Sequence, residues 1–88
     1  MQTRIIISGL VQDIGFRYFV LDNAIELGIT GWVRNTKDGK VEAVLQGRKE
    51  DIQKLIELSR SGPGMAKVTG IEEFESNEPY YQDFVVKG

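Results

Sequence analysis

Ile29-Thr30-Gly31-Trp32-Val33-Arg34, then Thr36-Lys37-Asp38-Gly39-Lys40, then Val41-Glu42-Ala43-Val44-Leu45-Gln46 is the stretch that decides the fold. Two runs rich in β-branched and aromatic residues flank a cluster of turn formers, which reads as a β-hairpin. Asp-Gly is a favoured pair for a two-residue primed turn, so the turn is expected at Asp38-Gly39. An antiparallel pair is therefore fixed near the middle of the chain, and the rest is read outward from it.

Upstream, residues 3–9 read as a buried strand, a β-branched run ended by Gly9. From Phe16, the apolar residues Phe16, Phe19, Val20, Ala24 and Leu27 recur at intervals of three and four, one face of a helix that Gly28 caps. Downstream, Ile52, Leu55, Ile56 and Ser59 share the face of a second helix stopped by Gly62-Pro63. Residues 66–76 form another strand with Val68, Ile71 and Phe74 as its apolar residues, and 83–87 a short extra strand. The order is βαββαβ with a terminal addition. The expected class is α+β: a ferredoxin-like sandwich, a mainly antiparallel sheet with two helices on one face.

Composition excludes more than it selects. The chain has 88 residues, no cysteine and no histidine. Thiolate nucleophiles, disulfides, imidazole acids or bases and the common zinc sites are all ruled out. A net charge of −2 and a pI near 5.1 argue against a nucleic-acid partner. No segment approaches the roughly 18 apolar residues of a membrane span. The expectation is a cytoplasmic protein.

The strand-to-helix junction, Gly9-Leu10-Val11-Gln12-Asp13-Ile14-Gly15-Phe16-Arg17, is where chemistry is expected. A loop bounded by glycines can turn its N–H groups toward an anion, and the helix start behind it adds unpaired donors. Arg17 falls in the first helical turn, where the dipole disfavours a cation. A visiting phosphate or carboxylate would explain it.

Val11-Gln12-Asp13-Ile14-Gly15-Phe16-Arg17 resembles the acylphosphatase signature V-Q-G-V-x-F-R. Gly31-Trp32-Val33-Arg34-Asn35-Thr36-Lys37-Asp38-Gly39-Lys40-Val41-Glu42 is similar to the same family's second block. The resemblance runs over nearly the whole chain and implies a single acylphosphatase-like domain over residues 1–88. It implies a monomeric enzyme that hydrolyses a small-molecule acyl phosphate, with no metal and no cofactor, to a carboxylate and inorganic phosphate. The latter would be product or inhibitor. By the same resemblance, Arg17 is the phosphate clamp and Asn35 orients the attacking water. The backbone of Val11, Gln12, Asp13, Ile14, Gly15 and Phe16 lines the phosphate cradle.

The residues suit that chemistry. A guanidinium meets two phosphate oxygens at once and keeps its proton. The leaving group is a carboxylate, a weak base that needs no strong acid. Phosphoryl transfer depends mainly on positioning and charge stabilisation, which a chain without histidine can supply.

One position departs from the pattern: Asp13 stands where the family has glycine. Aspartate tolerates a left-handed backbone at some cost. Its carboxylate is expected either to cap the Gly15 and Phe16 amides, to pair with Arg17, or to face solvent. The first two would oppose an anion and leave a catalytically weak anion-binding module as the alternative to an enzyme. An RNA-binding sheet is a third reading. It fares badly, because neither Ile5-Ile6-Ile7 nor Val41-Glu42-Ala43-Val44 offers a stacking aromatic. Trp32 and Phe16 read as packing residues, Tyr80-Tyr81 as cover for the sheet rim, and Glu72, Glu73, Glu75 and Glu78 as a solvated acidic stretch.

Overall fold

A computed structural model describes residues 1–88. The chain runs β1 (Gln2–Leu10), α1 (Phe16–Leu27), β2 (Thr30–Asn35), β3 (Val41–Gln46), α2 (Lys49–Ser61), β4 (Lys67–Glu75) and β5 (Phe84–Lys87). The five strands form one sheet in the order β4-β1-β3-β2-β5. All pairings are antiparallel except β2 with β5. The α+β ferredoxin-like sandwich is thus as expected, and the short extra strand is the parallel edge.

Alternation builds the core. Ile5 and Ile7 from β1, Val33 from β2, and Val41, Ala43 and Leu45 from β3 are fully buried on the face that receives the helices. Phe16, Val20 and Ala24 of α1 and Ile52, Leu55 and Ile56 of α2 meet them in one cluster of 15 buried residues. Both helical faces are those the three-and-four spacing gives. The C-cap of α1 is Gly28, whose N–H reaches the carbonyls of Ala24 and Ile25.

Three details differ from the sequence reading. The 36–40 turn is not a two-residue primed turn. Asn35 pairs with Val41, Thr36 N–H donates to Lys40 O at 2.9 Å, and Gly39 N–H to Thr36 O at 3.3 Å. Only Gly39 is left-handed (φ 90°), so Asp38 keeps an ordinary backbone. This is the longer hairpin in which a four-residue turn, Thr36 to Gly39, ends on a left-handed glycine. The cause is Thr36, whose hydroxyl donates to the Asp38 carboxylate and accepts from Lys40 N–H at 3.0 Å.

In β4 the register slips where Ser8 pairs with Gly70 but Gly9 with Val68, leaving Thr69 as the extra residue of a bulge. The bulge brings Val68 and Ile71 to the same face, against the core, although three positions separate them. No bulge intervenes between Ile71 and Phe74, so Phe74 falls on the opposite face with the Arg4 guanidinium 4.5 Å from its ring centre.

Finally, Trp32 is buried, but on the face away from the helices. Its indole N–H donates to Glu78, and Lys87 lies 4.4 Å from its ring centre. Glu78 belongs to the strap of residues 76–83 that carries the chain from the β4 edge to the β5 edge. Gln2 and Gln46 fasten that strap through bonds to Glu78, Pro79 and Tyr81. These contacts lie at the end of the sheet opposite the 11–15 loop.

Candidate active site

The loop leaves β1 at Leu10 and enters α1 at Phe16. Two buried side chains pin it: Val11, 1% exposed, and Phe16, 1% exposed and set edge-on to Phe19 with ring centres 5.8 Å apart. Between them the backbone is left-handed twice, at Asp13 (φ 62°) and Gly15 (φ 81°). Gly15 is the N-cap of α1 and offers no side chain to it. The first helical amide to find a backbone acceptor is that of Phe19, which donates to Gly15 O at 2.9 Å. The N–H groups of Phe16, Arg17 and Tyr18 are therefore the free donors of the helix start.

A recess of about 150 Å³ opens at this point, lined by Val11, Asp13, Gly15, Phe16, Arg17, Tyr18 and Asn35. Arg17 and Asn35, 18 positions apart in sequence, reach the same cavity because α1 starts beside the end of β2. Arg17 forms no ion pair with any carboxylate of the chain. The first turn of α1 holds no acidic residue. A half-buried guanidinium without a partner, beside unpaired amides, is an arrangement that favours an anion. The volume is well below the roughly 300–1,000 Å³ of pockets that engulf a whole ligand. It is sized for a small ligand or for one end of a larger one.

Of the expected cradle residues, Val11, Asp13, Gly15 and Phe16 line the recess, whereas Gln12 and Ile14 do not. Ile14 faces a shallower groove beside Leu10 and Met65. The Gln12 side chain turns away to the hairpin, where its amide nitrogen donates to Thr36 O at 2.7 Å and Lys40 O at 2.9 Å. Tyr18, absent from the sequence reading, contributes a 59% exposed ring to the rim. Its position next to Arg17 on the first helical turn was the available signal.

Asp13 does neither of the opposing things the sequence allowed. Its carboxylate caps no α1 amide and pairs with no cation. It is exposed, and it is the one non-glycine residue of the chain with a positive φ. Aspartate keeps the loop's shape where the family pattern has glycine, and it lines the recess while remaining exposed to solvent.

Fold and site together define a two-layer α+β sandwich with an anion-receptive loop at a helix start and an arginine beside it. The acylphosphatase family model matches residues 3–86, and the chain belongs to the acylphosphatase family. An acylphosphatase of Rhizobium etli is 45% identical over 86 residues, covering 97% of this chain and 92% of its own. The crystal structure of the acylphosphatase from Bacillus subtilis superposes with a TM-score of 0.90 at 38% identity, over 99% of this chain and 98% of that one. An acylphosphatase structure from Coxiella burnetii gives 0.93 at 37% identity, over 98% and 90%.

Proposed function

We propose that this chain hydrolyses acyl phosphates, releasing a carboxylate and inorganic phosphate. Family membership supports this enzyme reading over a weak anion-binding module. The observation that carries the site assignment is the meeting of Arg17 and Asn35 at one small recess next to the free amides of α1.

In the reading we favour, the phosphoryl group enters the recess, where Arg17 holds two of its oxygens and loop and helix amides hold the third. Asn35, an amide, does not act as a base. It holds a water in line with the bond to be broken; the water oxygen bonds to phosphorus, and the phosphoryl oxygens take up its proton. The P–O bond to the acyl oxygen breaks, and the electron pair leaves with the carboxylate. The recess is sized for the phosphoryl end, and a bulky acyl part extends toward solvent. No step asks for a metal or a cofactor.

We further propose that residues 1–88 act as one domain and as a monomer in the cytoplasm. The single buried core supports the first point. No helix is long and apolar enough to cross a membrane. The central strands β1 and β3 carry no aromatic residue, which speaks against an RNA-binding sheet.

The test is hydrolysis of benzoyl phosphate with chelator present, with Arg17→Ala as the control. Turnover that the control abolishes is the expected result. Equal turnover by both proteins would remove Arg17 from the site, and none by either would return the chain to the binding-module reading.

A further inference from the structure

We propose that Gln12 is a positioning residue, a clip that sets the distance between the anion-receptive loop and Asn35. The inference rests on the reading of Arg17 and Asn35 given above. Its basis is a pair of hydrogen bonds. The two protons of one Gln12 amide nitrogen go to Thr36 O at 2.7 Å and Lys40 O at 2.9 Å. Those carbonyls stand at the two sides of the hairpin turn, and Thr36 directly follows Asn35. No other hydrogen bond joins residues 11–15 to residues 36–40.

Each carbonyl already accepts a bond inside the turn: Thr36 O from Gly39 N–H, and Lys40 O from Thr36 N–H. Gln12 therefore does not close the turn, which closes itself. It attaches an already closed turn to the loop. Without it, the loop and the end of β2 are related only through the sheet ladder by way of β3 and the packing beneath, and Asn35 gains freedom relative to the recess. A reaction that needs a water in line is sensitive to such freedom, since misplacement by about 1 Å can cost roughly 100-fold. Arg17 and the α1 amides are placed by the helix, so anion binding should depend far less on the clip.

The experiment follows benzoyl phosphate hydrolysis and competitive inhibition by inorganic phosphate, at a temperature well below unfolding. It compares the parent, Gln12→Ala, Asn35→Ala and the double variant. We expect Gln12→Ala to lower kcat by about 10- to 100-fold while the phosphate inhibition constant moves less than about threefold. In the Asn35→Ala background, Gln12→Ala should do little more, because the residue it positions is gone. Gln12→Glu keeps the shape but points a carboxylate at two carbonyls. Its activity relative to the parent should recover as pH falls and a protonated carboxyl restores one donor.

An unchanged kcat in Gln12→Ala, a full loss repeated on top of Asn35→Ala, or a pH-independent deficit in Gln12→Glu would each overturn the proposal. A lowered unfolding temperature with intact kcat would do the same, since it would mark a structural role alone. Failure of the underlying reading looks different: Asn35→Ala would then match the parent before Gln12 is touched.

Discussion

The Trp32 indole N–H donates to the Glu78 carboxylate at 2.9 Å, so a residue of β2 is bonded to one 46 positions later in the strap. Tyr81 O–H reaches the same carboxylate oxygen at 2.7 Å. Both donors favour the ionised acid, and with Trp32 the larger cause they hold Glu78 below its ordinary carboxylate range. A carboxyl depressed on folding adds stability above its unfolded pKa and loses it as pH falls through the folded value. The strap should therefore loosen on acidification below about pH 4.5, the ordinary glutamate value. Trp32 is the only tryptophan and reports the event by fluorescence. Glu78→Gln should be less stable than the parent at neutral pH and should flatten that acid limb. An acid limb unchanged in the variant would show that Glu78 does not carry it.

Arg17→Lys tests whether the clamp needs a fork rather than a charge. Lysine keeps the charge but cannot meet two oxygens in a fixed plane. A fall in kcat/KM of roughly 100-fold or more is expected, of the size seen when one preorganised donor to a developing charge is removed. Retention of more than half the parent kcat/KM would show that charge alone suffices.

Asp13 gives a charge prediction separable from a conformational one. At an effective dielectric near 20, like charges about 6 Å apart repel by roughly 2–3 kcal/mol, and an exposed carboxylate keeps only a fraction of that after screening. Asp13→Asn removes the charge with a side chain that also tolerates left-handed backbone. Inorganic phosphate should then inhibit roughly 3- to 10-fold more tightly at low salt, with the gain shrinking as salt is added. Asp13→Gly should give a similar gain. If only the glycine variant gains, backbone freedom rather than charge is responsible.

Glu42, 7% exposed on the helix-free face, takes Arg4 at 2.9 Å on one oxygen and Arg34 at 2.6 Å on the other. Glu42 is the partner both arginines share, whereas either arginine can go and leave Glu42 paired, so the two directions of mutation are unequal. Glu42→Ala strands two cations over the sheet and should cost about 1–3 kcal/mol in urea unfolding. Arg34→Ala leaves Glu42 with Arg4 and should cost under about 1 kcal/mol. Equal losses would contradict this asymmetry.

Much of this molecule was legible from local pattern. The hairpin strands, both helical faces and the loop that carries Arg17 announce themselves through periodicity, glycine placement and one misplaced charge. What was hidden depends on partners distant in sequence. Alternation in Val68, Ile71 and Phe74 cannot be read without the bulge at Thr69, which exists only against Gly9 of β1. Trp32 reads as a core residue until the strap brings Glu78 to it. Gln12 sits inside a loop motif, and nothing nearby says that its side chain serves the 36–40 turn. The turn takes its form from the Thr36 hydroxyl as well as from the Asp38-Gly39 pair, and the dipeptide alone does not show it.

The recess of about 150 Å³ has a consequence for selectivity. On the proposed reading, a site of that size grips the part that all acyl phosphates share and leaves the far side of a bulky acyl group in water. Discrimination by shape is then weak, and what separates one substrate from another is how readily its carboxylate departs. Across a series of substituted benzoyl phosphates, log kcat/KM should fall on one line against the pKa of the released acid, indifferent to bulk at the far side of the ring.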